Sequence, residues 1–327
     1  MMTFSDQYAE YRRRVNDRLS LIAADSKPGS LYEPTRYVLN GGGKRIRAIL
    51  VMLAAEGVGG TAKEALDAGC AVEILHNFTL VHDDIMDNAD TRRGRPTVHA
   101  QWDAGTAILV GDVMIGLAHA LLLSNPLSSS LDIARAFTGG IIDVCEGQAV
   151  DREFEQRRSV TLDEYLDMIS MKTGRLVETA AEIGGIVGGG NAEQIQALKA
   201  YARNIGLGFQ IQDDLLDIIA EEGEFGKKIG GDVVEGKKTY LFIRADQVAV
   251  SEGHRRLLDA FIEHRGLPSE RVADVRRMYE CLNVIEDARN AVRGHIEQAQ
   301  QELLRLPHST ARDMLTWFAN MLMNRTA

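Results

Sequence analysis

The chain has 327 residues, 45% of them hydrophobic and 26% charged, with a formal net charge of −10. This is the composition of a globular chain able to bury a sizeable core, which excludes disorder. The negative balance argues against a nucleic-acid binder, which needs a basic surface, but leaves room for an anionic small substrate met by metal ions or a local basic cluster.

The N-terminal stretch "MMTFSDQYAEYRRRVNDRL" mixes acidic residues with arginines and lacks the apolar run of a signal peptide, and no stretch approaches eighteen uninterrupted apolar residues. The expectation is a cytoplasmic chain without an integral membrane segment. Glycine clusters at 41–43, 57–60 and 184–190 read as helix ends, the last followed by Asn191 as an N-cap with Gln194 three residues on. "SNPLSSSLD" at 124–132 reads as a helix–helix loop. No proline lies between Pro126 and Pro268, and apolar residues there recur at three and four, as in Leu162, Tyr165, Leu166 and Ile169 or Ile211, Leu215 and Ile218. The fold class expected is all-α, and with no dividing linker the chain reads as one domain over 1–327. Cys70, Cys145 and Cys281 are few, far apart and set among apolar residues, which reads as buried thiols rather than disulfides or a metal site.

One pattern occurs twice: "VHDDIMD" at 81–87 and "IQDDLLD" at 211–217. On a helix Asp83 and Asp87 share a face, as do Asp213 and Asp217. Like charges at that spacing cost an isolated helix about 0.2–0.5 kcal/mol per pair, and a hard divalent cation compensates by joining one or two carboxylates to a substrate phosphate. One such motif could be a solvated acidic face, but two in apolar flanks favour metal binding. His76, Thr79 and Leu80 fall within about 60° of the Asp83 face, and Gly206, Phe209 and Gln210 share the Asp213 face, so each motif would sit above an apolar floor. Basic residues recur beside glycine: Lys44, Arg45 and Arg47 in "GGGKRIR", Arg92, Arg93 and Arg95 in "TRRGRPT", Lys172 and Arg175 in "MKTGR", Lys227 and Lys228 in "FGKKIGGD", Lys237 and Lys238 in "EGKKTY". Arginine and lysine next to small residues suit oxyanions, phosphate above all.

In order, the chain shows GGGKRIR, EILHNFTLVHDDIMD, TRRGRPTVH, GDVMIGLA, CEGQAVD, YLDMISMKTG, GFQIQDDLLD, GKKIGGD and EGKKTYL. This series resembles the trans-isoprenyl diphosphate synthases, or polyprenyl synthetases, from about residue 30 to about 325. The resemblance implies one bundle of long helices around a central cavity (the isoprenoid synthase fold), a homodimer, and condensation of isopentenyl diphosphate with an allylic diphosphate (dimethylallyl, geranyl or farnesyl). It implies Mg²⁺, three per active site, with Mn²⁺ as an alternative, held by facing aspartate motifs. Asp83, Asp87 and Asp213 match direct metal ligands; Asp84, Asp214 and Asp217 match residues that bind through water or support them. Lys44, Arg47, His76 and Arg93 match the isopentenyl diphosphate site, and Arg92, Lys172, Lys237 and one of Lys227 and Lys228 the allylic diphosphate site. Thr173 and Gln210 match polar residues that steady the carbocation.

The chain departs from the family in having Ala48 where proline often follows the first basic motif. Two residues separate the aspartates of the first motif, unlike the longer spacer of the usual bacterial short-chain enzymes. In such enzymes the residues four and five before the first aspartate, here Thr79 and Phe78, set product length. One aromatic there resembles geranylgeranyl diphosphate synthases (C20) more than farnesyl (C15) or long-chain enzymes, although helix geometry turns Phe78 about 140° from the Asp83 face. A terpene cyclase usually replaces the second aspartate motif, and a silent partner subunit loses a motif or a base; this chain keeps all of them.

Overall fold

The computed structural model describes residues 3–124, 129–220 and 229–323. In chain order the helices are α1 (Phe4–Leu21), α2 (Gly29–Leu39), α3 (Ile46–Gly57), α4 (Leu66–Met86), α5 (Val98–Gln101), α6 (Ala104–Leu123), α7 (Ser130–Gln156), α8 (Leu162–Ile169), α9 (Arg175–Val187), α10 (Ala192–Ile219), α11 (Gly231–Glu235), α12 (Tyr240–Val248), α13 (Glu252–His264), α14 (Val272–Cys281), α15 (Val284–Leu303) and α16 (Thr310–Met323). A two-stranded hairpin, β1 (Thr91–Arg92) with β2 (Arg95–Pro96), is the sole sheet among the described residues, so the chain is all-α.

The chain falls into two compact units. The first comprises 1–141, 176–199 and 302–317, the second 142–175, 200–301 and 318–327. At the centre of the first is α3, in which Ala48 through Ala55 are fully buried. A helix apolar on every side must be enclosed, and small residues bring its neighbours close. A Cβ on Gly69 of α4 would lie 2.8 Å from the Ala48 carbonyl oxygen, and one on Gly184 of α9 would meet that of Val51. Gly184 and Gly185 therefore lie inside α9 rather than at its end, because they serve packing. The helix start after them is as expected: Asn191 Oδ1 accepts from the Gln194 N–H, and Gln194 Oε1 from the Asn191 N–H, both at 2.9 Å. Of the loop expected at 124–132, residues 125–128 lie outside the described residues.

Helix α6 buries the stripe Ala107, Val110, Gly111, Met114, Ala118 and Leu121, with Gly111 seated on the His82 ring of α4. Ile108, Leu109 and Leu123 on its other side are 48%, 59% and 59% exposed. By length and composition α6 could cross a membrane, although Asp112 and His119 interrupt its apolar run. The thiols correct the sequence reading in part: Cys70 is buried, but Cys145 and Cys281 are exposed positions on α7 and α14.

In the second unit a Thr161–Glu164 capping box starts α8, with Glu164 Oε2 accepting from the Thr161 N–H at 2.8 Å. Residues Ser170–Gly174 then form a π turn. Such a turn carries one residue more than the α register needs and is common at functional sites. Two glycines make room for it: a Cβ on Gly147 of α7 would strike the Lys172 backbone, and one on Gly206 of α10 would lie 2.6 Å from the Gly174 Cα.

Candidate active site

In the first unit the aspartate motif occupies the last turn of α4, with Asp87 as its C-cap. Asp83 is half-buried, Asp84 buried and Asp87 exposed. Asp84 Oδ1 accepts from Arg92 Nε at 2.7 Å, and burial raises the Asp84 pKa while Arg92 opposes the rise. Arg92, expected to reach a diphosphate, is thus the direct partner of one aspartate of the neighbouring motif.

The hairpin explains how adjacent arginines serve different places. Arg93 and Gly94 at its tip have φ of 54° and 71°. Positive φ at both central residues marks the mirror-image turn that matches the twist of two short strands. The turn sends Arg92 back to α4 and carries Arg93 to the segment between α2 and α3, where its Nη1 donates to the Gly42 carbonyl at 2.8 Å and lies against Gly43. Arg93 and Arg47 are also among the charges that, after burial, hold the His76 pKa well below the ordinary imidazole value. His76 is therefore neutral near pH 7. Arg47 and Arg93 thus act on His76 through their charge, and Lys44 is exposed in the glycine segment, next to Gly43. A small cleft opens beside Arg93, its wall including Asn77, Leu80, Asp84, Arg92 and Arg95. Arg95 is a packing residue that lies 3.8 Å over the Tyr37 ring.

Phe78 and Thr79 diverge. Phe78 is 6% exposed and sets its ring edge against His82, centroids 4.7 Å apart. The Thr79 hydroxyl donates to the His76 carbonyl at 2.8 Å. The aromatic thus packs on the His82 side of α4, as the helix count implies.

The second motif lies in the last two turns of α10. Asp213 is half-buried, while Asp214 and Asp217 are buried. Asp214 Oδ2 accepts from the Tyr165 hydroxyl at 2.5 Å and the Tyr240 N–H at 3.1 Å, and Oδ1 from Gln210 Nε2 at 3.0 Å. Burial, with Asp232 nearby, still pushes its pKa up to about 7. Gln210 Oε1 in turn accepts from the Thr173 hydroxyl at 2.9 Å, so Thr173, Gln210, Asp214 and Tyr165 form one chain. Asp217 Oδ2 accepts from the Asp232 N–H at 3.1 Å. Lys172 on the π turn is ion-paired with Asp151 of α7. Lys237 lies 2.5 Å from Glu235 and 3.9 Å from Asp232, beside a narrow crevice lined by Asp214, Asp217, Asp232 and Thr239 among others. Lys227 and Lys228 lie outside the described residues.

Sequence reasoning did not assign Asp151, Tyr165 or Asp232. Asp151 and Asp232 each close a motif of the series, CEGQAVD and GKKIGGD, and that position was the available signal; Tyr165 carried none beyond its apolar spacing.

Both motifs fit magnesium. The first sets its carboxylates in the last turn and cap of α4, where the helix C-terminus carries roughly half a negative charge, so a cation there relieves two repulsions at once; the second has Asp217 in the last turn of α10 and Asp213 one turn before it. In each, the middle aspartate is committed to protein donors. Among the described residues no three His, Cys, Asp or Glu side chains converge as a closed metal cage. Magnesium does not need one, since it keeps waters and takes one or two carboxylates along with substrate phosphate.

The family model for polyprenyl synthetase matches residues 28–282. A geranylgeranyl diphosphate synthase of Methanosarcina mazei is 37% identical over 327 residues, covering 99% of each chain. A geranylfarnesyl diphosphate synthase of Natronomonas pharaonis is 36% identical, covering 97% of this chain and 96% of its own. The crystal structure of geranylgeranyl pyrophosphate synthetase from Pyrococcus horikoshii superposes with a TM-score of 0.90 at 35% identity, covering 99% of both chains. A fold, a motif series and relatives that agree from end to end leave one conclusion: the chain belongs to the polyprenyl synthetase family.

Proposed function

We propose that the chain joins isopentenyl diphosphate to an allylic diphosphate head-to-tail, releasing pyrophosphate and an all-trans prenyl diphosphate of twenty carbons. The observation that carries this reading is the pair of aspartate motifs, each in the last one or two turns of a helix with its middle aspartate held by protein donors. Asp83, Asp87 and Asp213 hold Mg²⁺, three ions by family analogy, which supplies charge neutralisation on the diphosphate leaving group. Arg92, Lys172, Lys237 and Lys227 or Lys228 grip the same diphosphate. Lys44, Arg47, Arg93 and neutral His76 hold isopentenyl diphosphate, with His76 adding hydrogen bonding without charge. The Thr173 and Gln210 oxygens face the allylic cation, which the isopentenyl double bond attacks before a proton passes to the departing pyrophosphate.

The chain acts as a single domain in the cytoplasm, without a membrane-spanning segment. It works as a homodimer, and the exposed apolar side of α6, with Ile108, Leu109 and Leu123, supports pairing with a second copy. The Natronomonas relative favours a second reading, a C25 product.

Purified chain with Mg²⁺, isopentenyl diphosphate and labelled C5, C10 and C15 primers tests the reaction. Chain elongation that EDTA abolishes is expected, with C20 as the main product by chromatography. No turnover with any primer overturns the reaction, and a C25 product overturns the length. Phe78→Ala is expected to lengthen the product; an unchanged profile would show that another residue forms the floor.

A further inference from the structure

The segment joining α2 to α3 has little stiffness of its own, because Gly42 and Gly43 adopt φ of 74° and 120° that glycine reaches at an entropic cost. Two of its backbone carbonyls, those of Gly42 and Lys44, are held from outside, and Arg45 within it ties back to the last residue of α2. Leu39 O accepts from Arg45 Nη2 at 2.7 Å, Gly42 O from Arg93 Nη1 at 2.8 Å, and Lys44 O from the Tyr8 hydroxyl of α1. A loop that meets an anion must turn its carbonyl oxygens away, because backbone N–H groups attract the anion and carbonyls repel it. Donors on the protein side fix that orientation.

Arg45 is central to this arrangement. It is 2% exposed and sits at φ 53° as the N-cap of α3. Its Nε donates to Asn16 Oδ1 of α1 at 2.9 Å and its Nη1 to Glu73 Oε1 of α4 at 3.3 Å. With Nε, Nη1 and Nη2 all committed to the protein, its guanidinium is not turned to a substrate. Of the basic pair Lys44 and Arg45, the lysine faces solvent and the arginine anchors. Asn16 and Tyr8 share one helix, so α1 holds this segment at two points, through Arg45 and through the Lys44 carbonyl.

We propose that Tyr8 and Asn16 of α1 are positioning residues for isopentenyl diphosphate, setting the backbone of the Lys44 segment without touching substrate. The proposal rests on the reading of Lys44 and Arg47 as ligands of that diphosphate. The test is steady-state kinetics of full-length Tyr8→Phe and Asn16→Ala with Mg²⁺, each substrate varied in turn. Tyr8→Phe keeps the ring packed 6.0 Å from that of Trp317, so the fold is retained. Each variant is expected to raise KM for isopentenyl diphosphate about three- to tenfold, leaving KM for the allylic substrate and kcat within about twofold. Asn16→Asp, which keeps an acceptor for Arg45, is expected to restore KM. An unchanged KM for isopentenyl diphosphate, or an equal rise for both substrates, overturns the proposal. Lys44→Ala and Arg47→Ala in the same assay separate the two ideas. If they raise that KM and the α1 variants do not, positioning alone fails; if they leave it unchanged, the reading of the site fails and the proposal with it.

Discussion

The two aspartate motifs share a pattern and differ in what holds it. In the first, the middle aspartate is held by a cation, Arg92, and the last is an exposed helix cap. In the second, the middle aspartate is held by three neutral donors and the last is buried against the Asp232 N–H. A motif at a helix end beside a hairpin can borrow charge from that hairpin, whereas one enclosed in packed helices relies on hydrogen bonds. Equal local sequence therefore does not imply equal energetics.

The largest effect should be the one that treats the motifs alike. Asp83→Asn and Asp213→Asn are each expected to lower kcat at saturating Mg²⁺ by at least about a hundredfold, or about 2.7 kcal/mol. A loss in only one would mean that the motifs do not share the metal work.

Stability should separate them. Asp84→Asn leaves the half-buried Arg92 without its counter-charge and is expected to cost about 1–3 kcal/mol in denaturant unfolding with EDTA present. Asp214→Asn should stay within about 1 kcal/mol, because Gln210 can turn its amide and the Thr173 and Tyr165 hydroxyls can rotate to suit an asparagine. Equal costs would mean that the two middle aspartates are held alike.

A pH series probes the helix carrying the first motif. Burial and the nearby arginines keep His76 from binding a proton that the unfolded chain takes up near pH 6.5. The unfolded state then holds more protons, so His76 contributes stability above about pH 6.5 that is lost as pH falls below it. His76→Asn is expected to flatten that part of the stability profile, and an unaltered slope would assign it to other groups.

The smallest effect lies at the last aspartates. Without metal, Asp87→Asn relieves repulsion at an exposed helix end and should stabilise by a few tenths of a kcal/mol. Asp217→Asn should instead lose about 1 kcal/mol if its amide displaces the Asp232 N–H. Thermal melts in EDTA read both signs.

What was legible in the sequence was local. Asp83 with Asp87 and Asp213 with Asp217 follow from helix period, and the Asn191–Gln194 cap from a three-residue spacing. What was not legible depends on distant partners. Arg45 looks like any member of a basic cluster until Asn16 and Glu73, 29 and 28 residues away, close around it. Tyr165 has the spacing of a core residue, yet its hydroxyl meets Asp214 across 49 residues. Hydropathy also misjudged Cys145 and Cys281, because apolar neighbours in sequence do not fix which way a helix turns its side chain.

The hairpin tip carries a lesson for anyone seeking to make this enzyme tougher. The two-residue turn it adopts is one that Asn-Gly fills with less backbone strain, and a left-handed arginine costs on the order of 1 kcal/mol. A consensus-minded redesign would replace Arg93 with asparagine, gain heat resistance and discard a cation beside the Lys44 segment. If Arg93 holds diphosphate as proposed, durability and turnover pull against each other at this position, where the chain carries the side chain over the easier turn.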